Sequence, residues 1–438
     1  MASSQTQSPD HHAILLDYNG NGRSALGEPL LSHDHVVKAT CKEEEQHQDE
    51  ASFVRTCFNG LNALSGVGLL SIPYALAEGG WLSLILLLVI AIICCYTGLL
   101  LKRCMDADPS IRTYPDVGGL AFGYNGRLAV SIFMYVELFL VATGFLILEG
   151  DNLDKLFPGI GLQVGVYRIE GKQFFIILMA LIIVPTTWLK NLGVLAYVSA
   201  GGVLASLIVV CSVLWAATFD GVGFKERGRP VNISGLPTSL GLYAFCYCGH
   251  AVFPTICNSM KNKAQFPKVL VVCFVICTIN YASMAVLGYL MYGNEVQSQV
   301  TLNLPLGHIS TQIAIYTVLI NPYTKYALLI TPIASAIEER LLAYNKRSNP
   351  IATRTLLVSS TVVIALTIPF FADLMSFIGS LLSVIVSMLL PCVCYLVIFK
   401  DKKKSKIELV SIVAILVFGV LIAILGTYTS LKQIIHEL

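Results

Sequence analysis

Two stretches of the sequence combine residues that a membrane-crossing helix tolerates poorly. They are Ser65-Gly66-Val67-Gly68-Leu69-Leu70-Ser71-Ile72-Pro73 and Cys248-Gly249-His250-Ala251-Val252-Phe253-Pro254. In each, a glycine precedes a proline by five residues, Gly68 to Pro73 and Gly249 to Pro254, inside apolar surroundings. A helix broken there leaves its last carbonyls without donors and the first amides of the next half without acceptors. The amides, at a positive dipole end, suit a carboxylate. The carbonyls suit an ammonium. A site offering both suits a zwitterion, its α-carboxylate and α-amino groups held by the backbone of Ser65, Gly66, Val67, Gly68 and Leu69 and of Tyr247, Cys248 and Gly249. The ligand's side chain would then meet Phe245, Cys246 and Tyr247, a lining without charge that favours neutral substrates.

Ionisable side chains deep in apolar segments are costly and mark functional candidates. Three lie near the centre of such a segment: Glu137, His250 and Lys325. The ordinary pKa of His250 suits a proton-linked step, and against that stands a structural role in satisfying broken backbone. Lys325 is suited to neutralise carbonyls where a sodium-coupled relative would hold a cation; the bland alternative is an ion pair with Glu137. Glu137 is either that partner or a proton acceptor. Thr324 and Asn321 share the segment of Lys325 as further polar ligands. Glu149, Asp151 and Asp154 end the third segment and are expected to be solvated at an outer mouth.

The elements that must position these residues follow from composition. The chain has 438 residues, 55% hydrophobic and 13% charged, with a mean hydropathy of +0.72. Soluble domains carry about 25% charged residues, so a cytosolic enzyme, a nucleic-acid binder and a disordered hub are excluded. Each crossing takes about 20 apolar residues. Eleven apolar segments read as spans: 53–77, 81–103, 128–150, 173–188, 194–218, 236–260, 267–292, 310–338, 352–371, 374–399 and 407–430. Residues 1–52 read as a disordered cytosolic tail. Nine acids against three bases lie in its first 50 positions, and Leu15–Leu16 and Leu30–Leu31 there are candidate signals for sorting adaptors. Seventeen Lys and Arg fall on the side of the tail and seven on the other, which places the N-terminus in the cytosol and, with an odd number of spans, the C-terminus outside or in a lumen. The one sequon, Asn232-Ile233-Ser234, then falls in an outer loop as a glycosylation site.

The broken segments are five spans apart, so they run through the bilayer in opposite directions. That is the pattern of an inverted repeat of five helices and a pointer to a transporter binding site. The domains are then 53–218 (first repeat), 236–399 (second, inverted repeat) and an eleventh helix over 407–430. The thirteen cysteines lie in apolar segments or on the cytosolic side, and read as small buried residues rather than disulfides. Cys246-x-Cys248 lacks a second ligand pair for zinc, and no cofactor motif is present.

These residues resemble the amino acid/auxin permease family. Gly66-Val67-Gly68-Leu69-Leu70-Ser71-Ile72-Pro73-Tyr74-Ala75 resembles its first-span motif, and Gly249 to Pro254 with Ser259-Met260-Lys261 its sixth-span motif. Asn321-Pro322-Tyr323-Thr324-Lys325-Tyr326, Ile368 to Leu374 and Tyr114-Pro115-Asp116-Val117-Gly118 fit as well, so the likeness runs over about 50–430. Cys248 and Cys257 depart from the pattern. The nearest branch resembles the vacuolar amino acid transporters of plants and fungi. The resemblance implies an all-α polytopic membrane protein with a LeuT-like 5+5 inverted repeat, and proton-coupled amino acid movement across the vacuolar membrane with substrate at the two breaks. Competing classes are an amino acid sensor signalling through the tail and a plasma-membrane proton/amino acid symporter. Paired helix-spaced histidines, an intramembrane carboxylate pair and Gly-x-Ser-x-Gly are all absent from the sequence, which argues against an enzyme.

Overall fold

The computed structural model describes residues 51–437 except 165–166, 170, 189–194, 225 and 345–348. The tail through residue 50, with Cys41 and both leucine pairs, lies outside the described residues. So do Lys190, Lys346, Arg347 and the side chain of Thr324.

Helices dominate because a hydrocarbon slab offers backbone groups no water, and a helix pairs them within itself. The first segment is α1 (Phe53–Leu64), a 3₁₀ turn over Val67–Leu70 and α2 (Ile72–Gly79). There follow α3 (Ser83–Ala107), α4 (Tyr114–Leu156), α5 (Gly171–Thr187) and α6 (Leu195–Thr218). The sixth segment is α7 (Leu236–Cys246), a 3₁₀ turn over His250–Val252 and α8 (Phe253–Asn258). Then come α9 (Phe266–Tyr292), α10 (Ile309–Tyr344) and α11 (Pro350–Thr367). The tenth starts as α12 (Phe371–Phe377), widens into π turns over Ile378–Ser383 and Ile385–Leu389, and closes as α13 (Leu390–Ile398). Finally α14 spans Lys406–Glu437.

Among the described residues nine helical stretches are long and apolar enough to cross a membrane. The other two expected spans are helical but short: α5 has 17 residues, and the first segment is broken into pieces. A small antiparallel hairpin, β1 (Leu162–Val164) and β2 (Tyr167–Ile169), is added to the helices. Asp116 Oδ2 accepts the Thr113 amide at 2.8 Å and caps the start of α4, whose backbone leaves the helical conformation at Gly123, ahead of the expected span over 128–150.

The surface is apolar, and the largely apolar interior holds a set of buried polar side chains. Ile85, Leu88 and Ile92 of α3 and Val413, Val417 and Ile424 of α14 are exposed, while Thr97, Glu137, Ser206, Thr361, Ser383 and Ser387 are buried. With lipid outside, the hydrophobic effect between helices is weak, and close packing and buried hydrogen bonds take over. The two broken segments run antiparallel. At one end the Ala51 amide donates to Ser259 O at 2.8 Å, and the Lys261 amide to Ala51 O at 3.1 Å. At the other the Asn232 amide donates to Gly79 O at 3.1 Å, and the Trp81 amide to Arg229 O at 3.1 Å. Arg354 of α11 ties three helices, donating to Glu338 Oε1 of α10 at 3.0 Å and to the Thr187 carbonyl of α5 at 2.6 Å.

The closest backbone approach joins α7 to the first π turn. A Cβ on Gly379 would collide with the Gly241 carbonyl oxygen, and one on Gly241 would meet Ser376 O at 2.6 Å. Gly379→Val therefore separates the two elements at a cost of about 1–3 kcal/mol or more. The expected readout is a lower thermal-unfolding midpoint and a poorer monodisperse peak on size-exclusion chromatography of the detergent-solubilised protein.

Candidate functional site

At the first break, Gly66 is extended (φ −101°, ψ −166°) and interrupts the helical ladder after Leu64. The carbonyls released there are taken up by side chains from other helices. Lys325 Nζ of α10 donates to Asn62 O and to Ser65 O, each at 3.1 Å. The Tyr281 hydroxyl of α9 lies 2.5 Å from Leu64 O and 3.1 Å from Cys246 O, so its single hydrogen serves the C-terminal ends of both α1 and α7. The ammonium that the free carbonyls call for is thus supplied by the protein itself in this conformation. Ser65 Oγ and Ser206 Oγ of α6 are 2.5 Å apart and close the same corner.

At the second break, His250 is buried, its Nε2 3.0 Å from Thr97 Oγ1 and 3.1 Å from Cys94 O, both on α3. Cys248 Sγ lies 3.0 Å from Glu137 Oε1, which also accepts from Ser383 Oγ of the π turn at 2.6 Å. Glu137 therefore joins α4, the second break and the widened part of the tenth segment. The expected alternative of a Glu137–Lys325 ion pair is overturned: each is satisfied by other partners. Asp151 is likewise engaged, in an ion pair with Lys172 of α5. Glu149, expected at a solvated mouth, is 0% exposed.

The breaks approach each other closely: a Cβ on Gly68 would stand 2.6 Å from Cys246 Sγ and 3.3 Å from the Phe245 ring, and one on Gly249 3.0 Å from the Leu64 side chain. A small cavity opens on the other side of the first break. It is lined by Gly66, Val67, Leu69 and Leu70, by Ala205, Ser206 and Val209 of α6, and by Thr317, Val318 and Asn321 of α10. Gly66, Val67 and Leu69 were expected at a binding site. Ser65 precedes the turn and Gly68 lies within it, and neither lines the cavity. Phe245, Cys246, Tyr247, Cys248 and Gly249 do not line it either. Tyr247 instead donates to Thr278 Oγ1 at 2.9 Å and stacks on Phe274, both of α9. Sequence reasoning missed Tyr281, Ser206, Thr317 and Ser383, each a polar residue in an apolar helix with no local mark of its role. Asn232, the sequon residue, is half-buried and accepts from Ser234 Oγ at 2.8 Å.

Comparison with known proteins gives this geometry its context. The family model described as transmembrane amino acid transporter protein matches residues 49–432. A protein of Arabidopsis thaliana named amino acid transporter AVT1J is 51% identical over 412 residues, covering 92% of this chain and 97% of that protein. Amino acid transporter AVT1I of the same plant is 53% identical over 387 residues, covering 88% of this chain and 96% of that protein. Amino acid transporter AVT1C is 45% identical over 390 residues, or 89% of this chain and 71% of that protein. A membrane-embedded helical chain with two broken helices, matched over nearly its whole length by this transporter family, belongs to the transmembrane amino acid transporter family.

Proposed function

We propose that this chain is a secondary active transporter that moves neutral amino acids across the vacuolar membrane, driven by a proton gradient. Substrate binds at the broken first and sixth segments. The carrying observation is the Gly66–Leu70 turn, where the backbone of a broken helix faces a cavity within an amino acid transporter family. The cavity has no charged lining residue, so a charged substrate side chain would be stranded without a partner. The vacuolar assignment rests on the resemblance to the vacuolar branch.

In this reading the spans number eleven. Residues 53–218 and 236–399 form two inverted five-helix repeats of LeuT-like type, and 407–430 an additional helix. The antiparallel course of the broken segments supports that pairing. The N-terminal tail is cytosolic and available to sorting adaptors, the C-terminus is lumenal, and Asn232 is a lumenal glycosylation site. Alternating access proceeds by rocking of α1–α3 and α7–α9 against α4, α5, α10 and α11. Substrate entry requires Lys325 and Tyr281 to yield carbonyls of the α1 end to the substrate ammonium. That exchange, with Glu137, His250 and Thr324 as further ion-coupling groups, links the ionisable residues to transport.

Three outcomes test this reading. Purified protein in proteoliposomes is expected to accumulate labelled neutral amino acids when a pH gradient is imposed, and not acidic or basic ones. Accumulation that ignores the pH gradient and follows sodium overturns the coupling. A Cβ on Gly66 would meet nothing within 4 Å, so Gly66→Val is expected to fold normally while filling the cavity. Its uptake should fall about tenfold or more, equivalent to ~1.4 kcal/mol of lost binding, with the thermal midpoint unchanged. His250→Ala or Lys325→Ala is expected to weaken the dependence of flux on the pH gradient; wild-type dependence in both removes these residues from the coupling.

A further inference from the structure

The outer end of α4 holds a carboxyl group that the reading above does not use. Glu149 is fully buried, and neither carboxyl oxygen has a hydrogen-bond partner among the described residues. A bare carboxylate in such a place carries a desolvation cost that nothing offsets. Its surroundings specify what is missing. Lys172 of α5 pairs with Asp151, and Asp151 Oδ2, which can only accept, takes a hydrogen bond from Gln299 Nε2 at 2.9 Å. That orients the Gln299 amide, whose Oε1 then accepts from Asn152 Nδ2 at 2.6 Å. The same Asn152 nitrogen donates to Leu148 O at 2.9 Å. Both amides are thereby oriented, and Asn152 Oδ1 is left buried with no donor. Glu149 and Asn152 are three residues apart on one helix, hence neighbours on one face. This face therefore presents acceptors from both residues and lacks a donor.

We propose that Glu149 is a proton-binding site of the transport cycle, occupied in this conformation, with the neutral carboxyl donating its O–H toward Asn152 Oδ1. The step is a simple protonation: the carboxylate takes one proton from water on the outer side while that side is open and gives it to water on the opposite side later in the cycle, so that one proton crosses the membrane. This inference rests on the proton-coupled reading above. Among the described side chains no charge offers an alternative partner; that of Arg168 lies outside them. On α4 itself, Lys155 is held by the carbonyls of Thr301, Leu302 and Leu304 at 2.9, 2.7 and 2.5 Å, and Asp151 pairs with Lys172. From α5, Lys172 also donates to Pro369 O at 2.6 Å. Asp154 lies at the start of α5, where a Cβ on Gly171 would strike its carboxylate. From α12, Asp373 sits with Glu78 and Glu437. His308, ahead of α10, faces Asp220, and Arg354 of α11 is bound to Glu338 and the Thr187 carbonyl. The segment 299–302 brings only neutral groups, among them the Thr301 hydroxyl, which also has no partner. Glu170 lies outside the described residues.

The segment that carries Gln299, and that Lys155 clamps, lies along this end of α4. Moving it away would hydrate Glu149 and weaken its hold on the proton, so proton binding and closure of this end favour each other, as linkage requires.

The test is Glu149→Gln, which keeps shape and supplies a permanent N–H donor toward Asn152. In proteoliposomes the wild type is expected to accumulate substrate in response to a pH gradient. Glu149→Gln should lose that response by about tenfold or more, within the usual range for coupled sites. A variant that responds to the gradient as the wild type does overturns this inference alone; a wild type without any response overturns the proton-coupled reading with it. A second measurement needs no transport. The thermal midpoint of the purified wild type in detergent should fall relative to that of Glu149→Gln as pH rises. A difference between the two proteins that is constant with pH overturns the inference.

Discussion

A backbone carbonyl inside a hydrocarbon slab has no water to bond, and the end of α1 presents three of them. Lys325 takes Asn62 O and Ser65 O, and Tyr281 takes Leu64 O together with Cys246 O of α7. These contacts let the chain break a helix in mid-membrane without leaving these carbonyls unpaired, at a place where each would cost several kcal/mol. They also set the arrangement around it. Lys325 brings α10 to the break, Tyr281 brings α9, and the Ser65–Ser206 contact brings α6. The cavity beside Gly66 lies between the first segment and two of these helices, α6 and α10.

The second break is satisfied differently. His250 is bound to α3 through Thr97 and the Cys94 carbonyl, and Cys248 is bound to Glu137 of α4. Glu137 also receives Ser383 from the π turn, so one carboxyl group ties three elements together. A π turn widens the helix locally and is common at functional positions. Here it carries Ser383 to Glu137, while Gly379 lets the same turn lie against α7. In the proposed rocking, the Cys248–Glu137 bond joins elements that move past one another, whereas the His250 bonds lie within one moving group. Such contacts define discrete states instead of a continuum, because each is either made or broken.

Much of this was legible from residue order. The glycine and proline pairs located both breaks, because loss of a side chain at Gly68 and Gly249 and loss of an amide hydrogen at Pro73 and Pro254 act locally on the backbone. The three ionisable residues in mid-span stood out for the same kind of reason, since their cost depends on depth alone. Partner choice was not legible. Glu137 and Lys325 have opposite charges, and sequence offered no ground for separating them; the fold places a thiol and a hydroxyl at one and two carbonyls at the other. Glu149 misled in the opposite sense. Its company of Asp151 and Asp154 resembles a solvated helix end, yet it is fully buried.

Sequence by itself determined that this chain lives in a membrane, where its helices run and where two of them break, because hydropathy and backbone chemistry are properties of short stretches. It also carried the family, through motifs spread from the first segment to the tenth. Only the tertiary structure decided which group satisfies which break, that the cavity lies between the first, fifth and eighth segments and not between the two breaks, and that the Glu149 carboxyl is sealed away from water. Those outcomes depend on side chains distant in sequence meeting where neither water nor lipid can serve as a partner. Residues such as Tyr281, Ser206 and Ser383 acquire their roles only through that meeting.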